Sequence, residues 1–240
     1  MKKRTLKHNL WRKYKRKKSS FNHIRSIILA CEDSVSSVTY FNTFLEPLKQ
    51  NGKIDSHSQI IPHSGRTHPT GVLKDLIMYK TPSGKSFMDF DYRFIVIDRD
   101  KEKIHGAGHS KKDFNLALKK AKKYKVKVIY ANPSFELWYL LHFEKRVSFI
   151  DRFEVIEEVI EKLKKLDEDK FRNLSSGNIK TAKMSKLIAK EIKKYKNNAI
   201  KNARELQKFH LRKKKSLDPE KDNPLTNIHT LILLFEDLAK

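Results

Sequence analysis

The chain is 240 residues long and carries 53 lysine and arginine residues against 28 acidic ones, for a formal net charge of +25. This length is enough for one sizeable domain, or for a core domain with a smaller addition, so a buried core needs no covalent cross-links. The single cysteine, Cys31, excludes an internal disulfide and a zinc site built from several thiolates, and it favours a reducing, cytoplasmic compartment. The excess of positive charge indicates a polyanionic partner, and nucleic acid, either RNA or DNA, is the first expectation.

Residues 1–25 are predicted to form a basic N-terminal arm. Ten of the first eighteen residues are lysine or arginine, and no acidic residue precedes Glu32. The apolar run at 27–31 is too short to span a bilayer or to form the core of a signal peptide, so no membrane passage is expected. We expect the arm to bind phosphates through Arg12, Lys13, Lys15, Arg16, Lys17 and Lys18.

Residues 26–148 have the pattern of an α/β domain. Strand-like and helical segments alternate in the order 26–31, 38–48, 59–61, 67–80, 92–97, 111–123 and 126–130. The segment 92–97 is apolar on both faces, which is typical of a buried parallel strand. The pattern therefore predicts a mostly parallel sheet of about four strands flanked by helices.

Residues 149–240 are predicted to form a helical C-terminal region. Helical periodicity runs through 134–143, 153–166, 179–211 (with a break near 197–198) and 225–238, and no strand is expected there. Lysines recur on one predicted helix face at Lys180, Lys183, Lys186 and Lys190, and Arg212 and Lys213 follow the helix. Such a stripe is either a solvated face or a phosphate track, and we favour the track.

Three acidic residues follow predicted neighbouring strands. Glu32 comes after the first strand, and Asp98 and Asp100 come after the third, with Arg99 between them on the opposite side of the extended chain. Ligands of parallel α/β sheets collect at these strand ends, and converging carboxylates suit Mg²⁺ or Mn²⁺. The alternative is that the two aspartates merely begin a turn.

Two further sets of polar residues lie near this edge of the predicted sheet. Glu136 falls in the first turn of a helix, where it is either a helix-capping acid or a ligand. His105 and His109 flank a glycine-containing loop next to Asp100, where they either bind metal or protonate a leaving group, or, as is more common for such histidines, are exposed loop residues.

Four stretches together resemble the RloB family. They are IILACEDSVSSVTYFNTFLE (27–46), FIVIDRD (94–100), VIYANPSFELWYLLHFE (128–144) and NPLTNIHTLI (223–232). The resemblance implies a Toprim-like fold and a metal-dependent endonuclease that acts on RNA, including tRNA, or on DNA in bacterial antiphage defence. The family's acids map onto Glu32, Asp98, Asp100 and Glu136, which we expect to be catalytic, and the first three are expected to bind Mg²⁺ or Mn²⁺.

Two departures from the family pattern favour an alternative function. Asp33 and Ser37 stand where relatives usually have glycine and a second glutamate. The alternative is a non-catalytic nucleic-acid-binding subunit with a degenerate pocket, working with a partner such as an ATPase encoded nearby. Nucleotidyl transfer, as in primases, would use the same metal site, but the chain has no recognisable nucleotide-specific motif.

Overall fold

The computed structural model of the chain describes residues 23–100, 108–212 and 214–240. The following predicted residues lie outside these ranges: Arg12, Lys13, Lys15, Arg16, Lys17, Lys18, His105 and Lys213. Within the described ranges, no helix combines the length and the apolar character needed to cross a membrane.

Strands and helices alternate through the first part of the described chain. Their order is β1 (Ile27–Cys31), α1 (Ser36–Gln50), β2 (Gln59–Ile60), α2 (Pro69–Met78), β3 (Tyr92–Asp98), α3 (Lys111–Lys123), β4 (Lys127–Asn132) and α4 (Glu136–Leu141). Every strand and helix predicted here is present, with α3 at its predicted bounds and most other ends shifted by one or two residues.

Helix starts in this part are fixed by local side-chain caps. The Asp33 carboxylate accepts a hydrogen bond from the Ser37 amide at 2.6 Å, and His68 accepts one from the amide of Gly71. Ser110 caps α3 by accepting a hydrogen bond from the Asp113 amide at 3.1 Å. These caps satisfy amides that the helix itself leaves without partners.

The C-terminal region is mostly helical. It contains α5 (Arg152–Leu166), α6 (Glu168–Phe171), α7 (Ala182–Ile192), α8 (Lys196–Leu211), β5 (Leu225–Thr226) and α9 (Ile228–Leu238). The prediction that this region has no strand is wrong, because β5 pairs with β4. A strand of two residues is too short to produce a periodic sequence signal.

The long predicted helix over 179–211 is divided, and its break lies earlier than predicted. A 3-10 turn, Lys193–Tyr195, separates α7 from α8. Lys193 donates a hydrogen bond to the Thr43 carbonyl at 2.5 Å and lies 4.6 Å from the centre of the Phe44 ring. Contact with α1 therefore accompanies the break, and no local glycine or proline produces it.

The five strands form one sheet in the order β2-β1-β3-β4-β5. The first four are parallel, and only β5 runs antiparallel. Cys31 lies beside Val96, and Asp98 lies beside Ala131, so the carboxyl ends of β1, β3 and β4 share one edge. The predicted mostly parallel α/β fold with C-terminal helices is confirmed, with five strands where about four were expected.

Both faces of the sheet are covered by helices. On one face, Leu29 and Val96 belong to a core that includes residues of α1 and of the C-terminal helices. On the other face, Ile28 and Ile95 pack with residues of α2 and α3. Because residues alternate between the faces, the side of β3 that carries Val96 also carries Asp98.

The Asn227 side chain pairs with the open side of β4, just beyond β5. Its amide oxygen accepts a hydrogen bond from the Tyr130 amide at 2.7 Å, and its amide nitrogen donates to the Val128 carbonyl at 2.8 Å. Thr226 also donates to the Tyr130 carbonyl at 2.7 Å. One side chain thus continues the hydrogen-bonding pattern that β5 begins.

Candidate active site

A cavity of about 310 Å³ opens at the carboxyl edge of the sheet. Glu32, Asp98 and Asp100 all line it, and the Glu32 carboxylate accepts a hydrogen bond from the Asp98 amide at 3.1 Å. The expected convergence of these three acids follows from the pairing of β1 with β3. Arg152 and Lys180 reach the same cavity from the C-terminal region.

Asp98 is buried and has no ion pair or hydrogen bond to its carboxylate from any described residue. Burial raises the pKa of Asp98 well above its ordinary value, and the Glu32 and Glu136 carboxylates raise it further. Lys180 lowers this pKa but does not cancel the rise. A carboxyl group in this environment is ready to accept a cation.

Glu32 is bonded to His109. The Glu32 Oε1 atom forms a short contact with the Nε2 atom of His109. Burial raises the pKa of Glu32, although His109 and the Asp98 amide oppose the rise. Burial also opposes protonation of His109, but the bond to Glu32 outweighs it, so the pKa of His109 is raised. The pair therefore holds a proton more firmly than a free histidine does.

Asp100 is paired with Arg152, the first residue of α5. The distance between Arg152 Nη1 and Asp100 Oδ2 is 2.5 Å. Burial alone would lower the pKa of the guanidinium, but the bond to Asp100 more than compensates, and the pKa of Arg152 is raised. The second Asp100 oxygen, Oδ1, accepts no hydrogen bond from the described residues.

Glu136 lies behind the cavity, where it is completely buried. Its carboxylate is 2.9 Å from Lys180 Nζ and accepts a hydrogen bond from the Ser134 hydroxyl at 2.8 Å. Burial opposes ionisation of Glu136, but Lys180 and Ser134 outweigh that effect and lower its pKa. Glu136 therefore influences the cavity in two ways, by holding Lys180 and by raising the pKa of Asp98.

Arg99 lies on the other side of the strand end, as predicted from alternation. Its guanidinium donates to Glu220 at 2.9 Å and to the His109 carbonyl at 3.1 Å, and it lies 5.6 Å from the centre of the Phe114 ring. Arg99 and Glu220 are both buried. This ion pair fixes the segment that carries Asp98 and Asp100 to the loop that precedes β5.

The loop between β2 and α2 also contributes to the cavity wall. His63 and Thr67 of this loop line the cavity. The His63 ring forms a 3.0 Å hydrogen bond with the Glu32 carbonyl, so His63 braces the end of β1.

The donor atoms at this edge have the chemistry that a hard divalent cation requires. No group of three or more His, Cys, Asp or Glu side chains is arranged to hold a metal ion in the ranges 23–100, 108–212 and 214–240. Mg²⁺, however, is commonly held by one or two carboxylates together with water and substrate phosphates. The unpaired Asp98 carboxylate and Asp100 Oδ1 fit that mode, and Glu32 is adjacent.

The predicted nucleic-acid residues within the described ranges occupy different environments. Lys183 and Arg212 are exposed. Lys180 precedes α7 and bonds Glu136, so it does not belong to the helical stripe that the spacing predicts. Lys183, Lys186 and Lys190 are exposed on α7 and retain that stripe.

The sequence places His109 in a loop beside Asp100, but it assigns neither Arg152 nor Lys180 to the site. Arg152 carries the only usable signal, since a positive charge at the first position of a helix opposes the helix dipole and so indicates another partner. His109 and Lys180 reach their acids across 77 and 44 residues of sequence, and nothing local marks those contacts.

Comparison with known proteins gives one match. The family model described as RloB-like protein matches residues 27–234, which include the sheet and all the acids of the cavity. No curated protein and no solved structure matches the chain. Because the match covers most of the sequence, the chain belongs to the RloB-like family.

Proposed function

We propose that this protein is a divalent-metal-dependent nuclease that acts on RNA, including tRNA, or on DNA in antiphage defence. The observation that carries the proposal is Asp98, a buried carboxylate without a described partner, beside two further acids at the carboxyl edge of a parallel sheet. A protein with a net charge of +25 attracts polyanions, so an acidic cavity on it favours chemistry on a phosphate backbone.

Asp98 and Asp100, with Glu32 beside them, would hold Mg²⁺ or Mn²⁺. Such an ion activates water and offsets the charge of the scissile phosphate. Arg152 and Lys180 are positioned to neutralise phosphate oxygens that enter the cavity. The proton shared by His109 Nε2 and Glu32 could be passed to a leaving oxygen.

The test is cleavage of tRNA, single strands and duplexes with Mg²⁺ or Mn²⁺, with and without chelator. Asp98→Asn preserves the shape of the side chain but removes its charge, and it should reduce chelator-sensitive cleavage by at least about a hundredfold. The matched control is Asp169→Asn, the same change at a 90% exposed side chain, which should cleave like wild type. Undiminished cleavage by Asp98→Asn would exclude this site.

A second candidate is a nucleic-acid-binding subunit whose catalysis or energy supply comes from a partner such as an ATPase. It is favoured by the ion pairs of Glu32 with His109, Asp100 with Arg152 and Glu136 with Lys180, which already neutralise much of the acid cluster. If wild type binds all these substrates but cleaves none with either metal, the binding function takes precedence.

A further inference from the structure

A second cavity, of about 510 Å³, lies between α2 and α3. We call this cavity the α2–α3 groove. Its lining includes Arg66, His68, Lys74, Lys120, Lys123 and Tyr124. Its walls are therefore rich in cationic side chains, and none of the residues lining it is acidic. This is the opposite of the acid cavity at the sheet edge.

The lysines of the groove have no protein partners among the described residues. Lys74, Lys120 and Lys123 are exposed, and none of them forms an ion pair there. The two neighbouring acids pair with other residues of the groove wall: Asp75 bonds Arg66, and Asp113 bonds Thr70 and lies 3.6 Å from His68. The positive charge of the three lysines is consequently available to an anionic ligand.

Helix geometry accounts for only part of this charge. A helix C-terminus carries roughly half a negative charge, which favours one or two nearby cations. The last turn of α3 contains Lys120, Lys122 and Lys123, and Lys125 and Lys127 follow it closely. That concentration exceeds what the dipole offsets, and Lys120 and Lys123 face the concave side.

Apolar groups of the groove are also exposed. The Tyr124 residue is 38% exposed and Met78 is 62% exposed, and both line the groove. The Tyr124 ring is supported edge-on by Phe87, with 6.4 Å between the ring centres. A supported, exposed aromatic ring beside lysines is the combination that binds unpaired bases and their phosphates.

The groove and the acid cavity are adjacent. Thr67 lines the acid cavity, whereas its two neighbours in sequence, Arg66 and His68, line the groove. A strand bound in the groove therefore lies next to the loop that lines the acid cavity.

We propose that the α2–α3 groove binds a single strand of nucleic acid and directs its backbone into the acid cavity. This proposal rests on the proposed function, since it names the path of the substrate to that site. It places the main contact on the face of α2 and α3 and not on the exposed lysines of α7.

The test is equilibrium binding of a fluorescent single strand of about 16 nucleotides, the upper end of the length that one such site covers. Binding is measured in chelator at several salt concentrations. The double substitution Lys120→Gln and Lys123→Gln should lower the slope of log affinity against log salt by about 1.4, since each phosphate contact contributes about 0.7 on a single strand.

The matched control is Lys119→Gln with Lys122→Gln. These lysines are also exposed and three residues apart on α3, have no described ion pair and do not line the groove, so the change in net charge is identical. The control should leave the slope unchanged. A reduced slope in the control variant, or an unreduced slope in the groove variant, would overturn the proposal.

Tyr124→Leu provides an independent measurement. It should weaken single-strand binding about tenfold, because base stacking is lost, and leave duplex binding unchanged. Weaker binding of single-stranded RNA, of single-stranded DNA or of both supports the proposed groove site and identifies the strand that it accepts. Equally weaker binding of single strands and duplexes would contradict the proposal.

Failure of the groove proposal can be distinguished from failure of the nuclease proposal, because binding is measured in chelator, where no cleavage takes place. A groove effect without cleavage under any condition supports the groove and counts against the nuclease. Cleavage that depends on Asp98, with an unchanged salt slope in the groove variant, supports the nuclease and overturns the groove.

Discussion

The acid cavity and the α2–α3 groove are lined by adjacent residues of the same loop, but they use charge in opposite ways. Glu32 and Asp100 in the cavity, and Glu136 behind it, each have a cationic partner, and all three are largely buried. In the groove, the lysines are exposed and have no described partner. Buried charges depend on one another for folding, whereas exposed charges can be changed at little cost to the fold.

The largest expected effect comes from removing a cation on the cavity side. Lys180→Met should destabilise the fold by about 3–5 kcal/mol, because it leaves the Glu136 carboxylate buried without its partner. Lys120→Met, the same change in the groove, should alter stability by no more than about 0.5 kcal/mol. Urea unfolding measures both.

The double variant Lys180→Met with Glu136→Gln serves as the control for charge. It should recover most of the lost stability, because no unpaired charge is then buried. Equal effects of the Lys180 and Lys120 substitutions would contradict the contrast between the two regions.

A smaller effect is expected from metal binding. Mn²⁺ or Mg²⁺ at a hundred times its dissociation constant should stabilise the folded chain by about 2.7 kcal/mol, since the ion binds only the assembled acids. Asp98→Asn should abolish this stabilisation, and the groove variant Lys120→Gln should retain it. Thermal unfolding with and without the ion is the measurement, and stabilisation of Asp98→Asn equal to wild type would place the metal elsewhere.

The smallest effect concerns the stability of the metal-free protein. The folded-state pKa of Asp98 is raised above its unfolded value, so ionised Asp98 opposes folding at neutral pH. Asp98→Asn should therefore stabilise the metal-free fold and raise its Tm, where a gain of about 1 kcal/mol corresponds to roughly 2–4 °C for a chain of this size.

The stability difference between Asp98→Asn and wild type should depend on pH. As the pH falls through the raised pKa of Asp98 and then below its unfolded value, the wild-type carboxyl becomes neutral in both states, so its disadvantage relative to asparagine disappears. The two melting curves should converge at acid pH. A constant difference at every pH would show that the charge of Asp98 is not the cause.

Much of the fold and the three-acid convergence could be predicted because each depends on local patterns. The alternation of Asp98, Arg99 and Asp100 along β3 places the first and third on one side whatever packs on the sheet. Likewise, apolar periodicity identifies α3 at its observed bounds. The confirmed sheet then brings Glu32 to the same edge as the two aspartates.

The cations of the site depend on distant packing, which one sequence does not encode locally. Lys180 fits a helical lysine stripe by spacing alone, yet it precedes α7 and reaches Glu136 instead. The Arg99–Glu220 pair joins residues 121 positions apart. Such contacts require knowledge of how the C-terminal region folds back on the sheet.

The Asn227 side chain that completes the edge of β4 has a consequence for how copies of this protein meet. An open strand edge offers free amides and carbonyls to any passing chain, and such edges promote aggregation. Asn227 bonds the Tyr130 amide and the Val128 carbonyl, so neither group is free to pair with a strand of another molecule. The motif at 223–232 therefore helps to prevent sheet growth between molecules, because β5 alone covers only two residues of the β4 edge.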